Sequence, residues 1–163
     1  MNILFYNLKL LPYHFDRYNF LCSCLQNNHK LIVLEILSKS SKYHLDEESK
    51  LILNSELTYK SLNFESLINS EKLSYLNITK IIFNIWKLNY DIIFIPGYND
   101  LLHVLILLLT KVTKKRTVLL TDSKYIDFKR NKYLELFKSF IIKKFDFYFT
   151  AGLRSKEYLL NLG

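Results

Sequence analysis

Asp122 and Ser123 follow directly on the run TVLLT, so a carboxylate and a hydroxyl stand side by side where an apolar segment ends. A carboxylate so placed can accept a hydrogen bond from a bound hydroxyl and polarise it for attack. The competing role is a cap on the element that follows, since Asp and Ser both favour that position. His14 and Arg17 lie about one helical turn apart in PYHFDRYNFL. At a helix start an imidazole can meet an oxyanion with help from the positive helix end, and a guanidinium offers a planar fork of donors. Arg130 offers the same fork, or else an ion pair with Asp127 or Glu135. In IPGYND, Gly97 suits a turn with positive φ that would carry Tyr98 outward as a flat stacking platform. Packing or turn chemistry is the alternative for both. Gly152, after FYFTA, has the same two readings and would let the backbone approach a ligand closely.

Other chemistries lack their residues. The turn after the first apolar run reads NLKLLPYH and holds no glycine, and neither G-x-G-x-x-G nor a P-loop occurs. Backbone amides therefore have no glycine-rich loop with which to close on phosphates, and no cofactor is expected. No G-x-S-x-G elbow is present. His14, His29, His44 and His103 are scattered without a pair at H-x-x-x-H spacing, so no metal site is expected either. Cys22 and Cys24 lie two apart on a predicted helix, which turns them to nearly opposite faces and prevents both a disulfide and a shared metal. They read as small apolar residues of a reducing compartment.

The elements that must position these groups alternate along the chain. NILFYN (2–7) and KLIVLEIL (30–37) are short runs of strand formers, separated by Tyr18, Leu21, Cys22 and Leu25 at helical spacing. The pattern recurs with helices predicted over 71–88, 99–112, 127–144 and from 153 onward. Strands are predicted over 91–95, 117–121 and 146–150. LILNSELTY (51–59) is the candidate third strand. Buried-looking strands alternating with helices predict an α/β fold: a doubly wound, mostly parallel, six-stranded Rossmann-like sheet with helices on both faces. The expected order is 3-2-1-4-5-6, with ligands at the strands' carboxyl ends. Residues 1–163 read as a single domain.

Charge is unevenly placed. Of 23 Lys and Arg, thirteen lie in residues 111–163 against five Asp and Glu, while residues 1–110 hold ten of each. FKRNKYLELFKSFIIKKF sets Tyr133, Phe137, Phe140 and Ile141 along one helical stripe, flanked by Lys129, Lys132, Lys143 and Lys144. Such a helix can lie on an anionic leaflet, each surface lysine contributing about 1 kcal/mol, or it can pack its stripe on the sheet and leave the lysines in water. The longest apolar run, LLHVLILLL, falls short of the roughly 20 residues a spanning helix needs and predicts a buried helix. The amino terminus has no basic region or cleavage site of a secretion signal. A cytoplasmic protein, peripheral on the inner face of the membrane if the lysine helix docks there, is the expectation. Nucleic acid is a weak candidate partner, because no recognised motif accompanies the basic stretch.

Two stretches carry a resemblance. LPYHFDRYNFL with VLEILSKSSKYHLD resembles the opening of family-four glycosyltransferases of the GT-B fold, where a Pro-Tyr-His segment and an Arg follow the first strand. TDSKYIDFKRNKYLELFK with FYFTAGLRSKEYLLNLG resembles the end of those enzymes' amino-terminal domain. There an acid-and-serine turn, a helix with a Glu-x-x-Lys element and a Gly-x-x-x-x-x-Tyr-Leu-x-x-Leu-Gly segment lead into a second domain. The resemblance implies an acceptor-side (N-terminal) half of a GT-B enzyme, with Gly163 at the seam and the donor-binding domain as a separate or missing partner. It further implies a hexosyltransferase-type reaction from a nucleotide sugar to a sugar or glycolipid acceptor, with little activity in the half alone. Asp122 would then be catalytic. His14, Arg17, Gly97, Tyr98, Ser123, Arg130 and Gly152 would hold the acceptor. A non-catalytic carbohydrate-, membrane- or protein-binding module derived from such an enzyme is the alternative.

Overall fold

A computed structural model of the chain describes residues 1–7, 12–25, 29–35, 60–63, 75–123 and 132–162. Over them run β1 (Asn2–Asn7), α1 (Pro12–Cys24), β2 (Lys30–Glu35), β3 (Lys60–Asn63), α2 (Tyr75–Lys87), β4 (Ile92–Pro96), α3 (Leu101–Val112), β5 (Arg116–Thr121), α4 (Lys132–Ile142), β6 (Phe147–Thr150) and α5 (Leu153–Leu162). The strand order is β3-β2-β1-β4-β5-β6, the doubly wound order that the alternation predicts. The fold is an α/β Rossmann-like parallel sheet flanked by helices. The chain divides into two compact units, Met1–Asp91 and Ile92–Gly163.

In the first unit β1 pairs in parallel with β2, Ile3 opposite Leu31 and Phe5 opposite Val33, and β2 pairs in parallel with β3 from Ile32 opposite Lys60. Leu4, Tyr6, Val33 and Leu34 are almost wholly buried, as a central strand covered on both faces requires. Ile81 and Ile85, four apart on α2, add the helix side of this core. The strand expected over LILNSELTY (51–59) lies outside the described residues; among the described ones β3 forms over KSLN. It stands at the edge of the sheet. Cys22 is half-buried, Cys24 is exposed, and both are free.

In the second unit β4, β5 and β6 pair in parallel, Ile93 opposite Thr117 and Leu119 opposite Tyr148. The apolar run of α3 is amphipathic in place rather than buried all round. Leu102, His103, Ile106, Leu107 and Thr110 face inward, while Leu101, Leu108 and Val112 are exposed. Thr110 keeps its hydroxyl satisfied by donating to the Ile106 carbonyl at 2.7 Å.

Asp146 fastens the start of β6. Its carboxylate accepts from Lys111 Nζ at 2.6 Å, from the Thr117 amide at 2.7 Å and from the Thr117 hydroxyl at 2.8 Å. Burial pushes this carboxyl up, but the Lys111 and Thr117 donors outweigh it and hold the pKa below the usual range. A depressed carboxylate contributes stability that is fully present above its unfolded pKa of about 3.9 and is lost as pH falls through the lower folded value. Asp146→Asn should therefore lower stability near neutral pH by about 0.5–1 kcal/mol, the share of the Lys111 ion pair being screened because the side chain is 37% exposed. The difference from the parent should shrink as denaturation curves are taken below about pH 4.

The stripe on α4 does not pack on the sheet. Ile141 is buried, but Tyr133, Phe137 and Phe140 are 81%, 61% and 62% exposed. Helical spacing shows which side chains share a face, and here the inward face belongs to other residues.

Candidate functional site

The carboxyl ends of β4 and β5 set the site in the second unit. After β4 the chain turns at Gly97, whose φ is 104° and whose amide donates to the Ile95 carbonyl at 3.0 Å. Only glycine adopts that backbone without strain, so the sequence reading of Gly97 holds. A Cβ added there would meet His103 Nδ1 at 3.8 Å, an ordinary contact, so the obstacle to a side chain is the backbone angle. Gly97→Ala is expected to cost about 1–3 kcal/mol, read as a lower urea midpoint with an unchanged slope. His103 sits under this turn, 3.6 Å from the Asp100 carboxylate. Burial lowers its pKa, with the Asp100 charge pulling the other way, so the imidazole is neutral at physiological pH.

Tyr98 corrects the stacking expectation: the turn carries its ring inward, and the residue is only 3% exposed. Its hydroxyl hydrogen-bonds with Tyr158 and Ser123. Burial first, then the Tyr158 bond, push its pKa up to about 12, against smaller opposing pulls from Ser123 and Lys138. It acts as a neutral donor at any physiological pH.

From Tyr98 the polar contacts continue through α5 to α4. The Tyr158 hydroxyl donates to Glu135 Oε2 at 3.0 Å, and Lys138 Nζ donates to Glu135 Oε1 at 3.0 Å. With the Tyr158 proton committed to Glu135, the Tyr158 oxygen is left to accept from Tyr98. The one carboxylate is thus neutralised by a lysine one turn away and fixed by a buried phenol. Ser139 donates to the Leu162 carbonyl and joins the same two helices.

Asp122 and Ser123 stand at the mouth of this network. The Ser155 hydroxyl, almost fully buried, donates to the Asp122 carbonyl at 3.0 Å, and the Ser123 amide donates to Thr121 Oγ1 at 3.2 Å. The backbone of Asp122 is held while the residue itself is exposed. Such an arrangement can present a carboxylate to a hydroxyl ligand with little reorganisation.

Gly152 corrects the turn expectation only. Its φ is not in the left-handed region, so the turn does not demand glycine, and a Cβ there would meet no protein atom within 4 Å, so its backbone faces open space. In the first unit His14 is half-buried and stacks on Tyr18 with ring centroids 6.2 Å apart, and Arg17 is exposed. Asn7, at the end of β1, is buried and accepts from the Tyr18 hydroxyl at 3.0 Å. Lys132, Lys143 and Lys144 are exposed, whereas Lys129, Arg130 and Gly163 lie outside the described residues.

Sequence reasoning named Tyr98, Asp122 and Ser123 but missed that Tyr158, Glu135 and Lys138 lie behind them. The available signal was Glu-x-x-Lys and Tyr-Leu-x-x-Leu-Gly, two motifs that sequence spacing alone does not bring together. Among the described residues no cluster of three or more His, Cys, Asp or Glu could hold a metal ion, and no helix is long and apolar enough to cross a membrane.

No family model matches the chain, and no curated protein does so significantly. Solved structures do. A putative UDP-N-acetylglucosamine 2-epimerase from Listeria monocytogenes aligns with a TM-score of 0.61 at 14% identity, covering 99% of this chain and 41% of that one. Another UDP-N-acetylglucosamine 2-epimerase aligns with a TM-score of 0.61 at 11% identity, covering 99% and 44%. The chain thus shares its fold, that of a GT-B-like domain, with part of these enzymes and spans less than half their length.

Proposed function

We propose that the chain is the acceptor-side domain of a GT-B glycosyltransferase, which holds a sugar or glycolipid hydroxyl while a donor-binding domain supplies a nucleotide-activated sugar. One observation carries this reading. Glu135, Lys138 and Tyr158, which belong to the motifs that resemble the family, meet behind Asp122 and Ser123 at the strand ends where an α/β sheet binds ligands. In the proposed reaction the acceptor hydroxyl attacks the donor's anomeric carbon, the nucleoside diphosphate leaves, and Asp122 orients and polarises that hydroxyl. The buried network keeps the Asp122 turn in place. Donor phosphates are left to the partner domain, consistent with the absence of a glycine-rich phosphate loop in this sequence.

The two structural neighbours favour a second reading, a domain of an enzyme that rearranges a nucleotide sugar without an acceptor. A non-catalytic carbohydrate-binding module is the third. One experiment separates them. The chain is combined with a donor-binding GT-B domain, fused or in trans, and offered a panel of nucleotide sugars with and without sugar or lipid-linked acceptors. Nucleoside diphosphate release that requires acceptor and yields a glycosylated product supports transfer. Conversion of UDP-N-acetylglucosamine that ignores the acceptor supports the epimerase reading and removes transfer. Saturable acceptor binding with no turnover leaves the module.

A further inference from the structure

The outward face of α4 is left unused by the proposed sugar chemistry. Tyr133, Leu136, Phe137 and Phe140 fall at i, i+3, i+4 and i+7 and are all more than 60% exposed. Contiguous exposed aromatic surface of this kind marks an interaction site on a folded protein. Its surroundings state the chemistry of the partner. Lys132, before the stripe, and Lys143 and Lys144, after it, are exposed, and Lys144 Nζ lies 4.9 Å from the centre of the Phe140 ring. The only acid on the helix, Glu135, is turned inward and engaged by Lys138 and Tyr158, so the outward face carries no negative charge. Over Ile92–Gly163 as a whole, thirteen Lys and Arg stand against six Asp and Glu.

We infer that α4 docks this unit on an anionic phospholipid surface, with Phe137, Phe140 and Leu136 entering the headgroup boundary and Lys132, Lys143 and Lys144 contacting lipid phosphates. Apolar insertion supplies the retention and the lysines supply the selectivity for negative charge. Exposed aromatics suit this boundary because their rings are apolar while Tyr133 keeps a hydroxyl for the wet side. An acidic protein partner would satisfy the lysines but would not need an uninterrupted apolar stripe. The inference stands without the glycosyltransferase reading, since it rests on a different face of the molecule.

The test is co-sedimentation of the full chain with vesicles of phosphatidylcholine alone and of phosphatidylcholine mixed with phosphatidylglycerol. Binding is expected to the mixed vesicles only and to weaken as salt rises. Lys143→Ala combined with Lys144→Ala should raise the apparent Kd roughly ten- to thirty-fold. Phe137→Ser combined with Phe140→Ser should abolish binding while circular dichroism stays unchanged, because both positions face water in the free protein. Failure to bind mixed vesicles overturns the proposal, as does binding by either double variant equal to the parent's. Concentration-dependent dimerisation that Phe137→Ser and Phe140→Ser abolish, with no vesicle binding by the parent, would assign the stripe to a second copy and also overturn it.

Discussion

Tyr158→Ala is expected to lower the stability of the chain by about 3–5 kcal/mol, and Tyr158→Phe by about 1–2 kcal/mol. The two losses have different origins. The ring is 2% exposed, so alanine removes a buried aromatic and leaves a cavity. Phenylalanine keeps the packing and deletes only the hydroxyl, which donates to Glu135 and receives Tyr98. Glu135 then loses its phenol donor and keeps the Lys138 contact, and the Tyr98 hydroxyl loses its acceptor while remaining buried. Leaving a buried donor unsatisfied is the expensive part of that change. Urea denaturation should show a reduced midpoint at constant slope for both variants. The coupling can be isolated as well: Glu135→Gln with Tyr158→Phe should cost less than the sum of the two singles, since both remove the same contact. Strict additivity would mean that the 3.0 Å bond carries little of the stability.

This network shows where a sequence stops being readable. β1 was legible to the residue, because a central strand covered on both faces needs an unbroken run of strand formers and NILFYN supplies one. The helices and the doubly wound order followed from alternation for the same reason. β3 was not legible, because an edge strand can be polar, and KSLN carries no apolar signature. The α4 stripe was seen but its direction was not. Periodicity groups Tyr133, Phe137 and Phe140 without saying whether that side or the Glu135 and Ile142 side meets the rest of the unit. Tyr98 failed differently. Its turn was correctly read from Gly97, but whether the next ring swings inward depends on hydrogen-bond partners 25 and 60 residues away in sequence, Ser123 and Tyr158. No local rule reaches across that distance.

The same geometry bears on why the site would tolerate an exposed carboxylate. A rim residue on a mobile backbone would spend binding energy on being ordered each time a ligand arrives. Asp122 is spared that cost in part, because Ser155 grips its carbonyl and Thr121 receives the next amide. Ser155 is itself 1% exposed and lies on α5, the helix that also carries Tyr158. One helix therefore fixes both the buried network and the exposed turn. Loss of Tyr158 should for that reason impair ligand handling at Asp122 as well as stability.

Asp122→Asn is expected to reduce sugar transfer by roughly 10²–10⁴-fold in the assembled enzyme, if the proposed role of orienting and polarising the acceptor hydroxyl is right. Stability should change by less than about 0.5 kcal/mol, since the residue is exposed and its fixed atom, the main-chain carbonyl, is unaltered. The asparagine variant is chosen because it separates the two roles open to this residue. An amide caps a following element about as well as a carboxylate, so a purely capping Asp122 would lose nothing on substitution. A polarising Asp122 would lose its charge and with it the preference for an attacking hydroxyl, while an amide oxygen could still hold the acceptor. The loss should therefore appear in kcat more than in the acceptor KM. Transfer at the parental rate in Asp122→Asn would remove the carboxylate from the reaction and leave the turn a structural one.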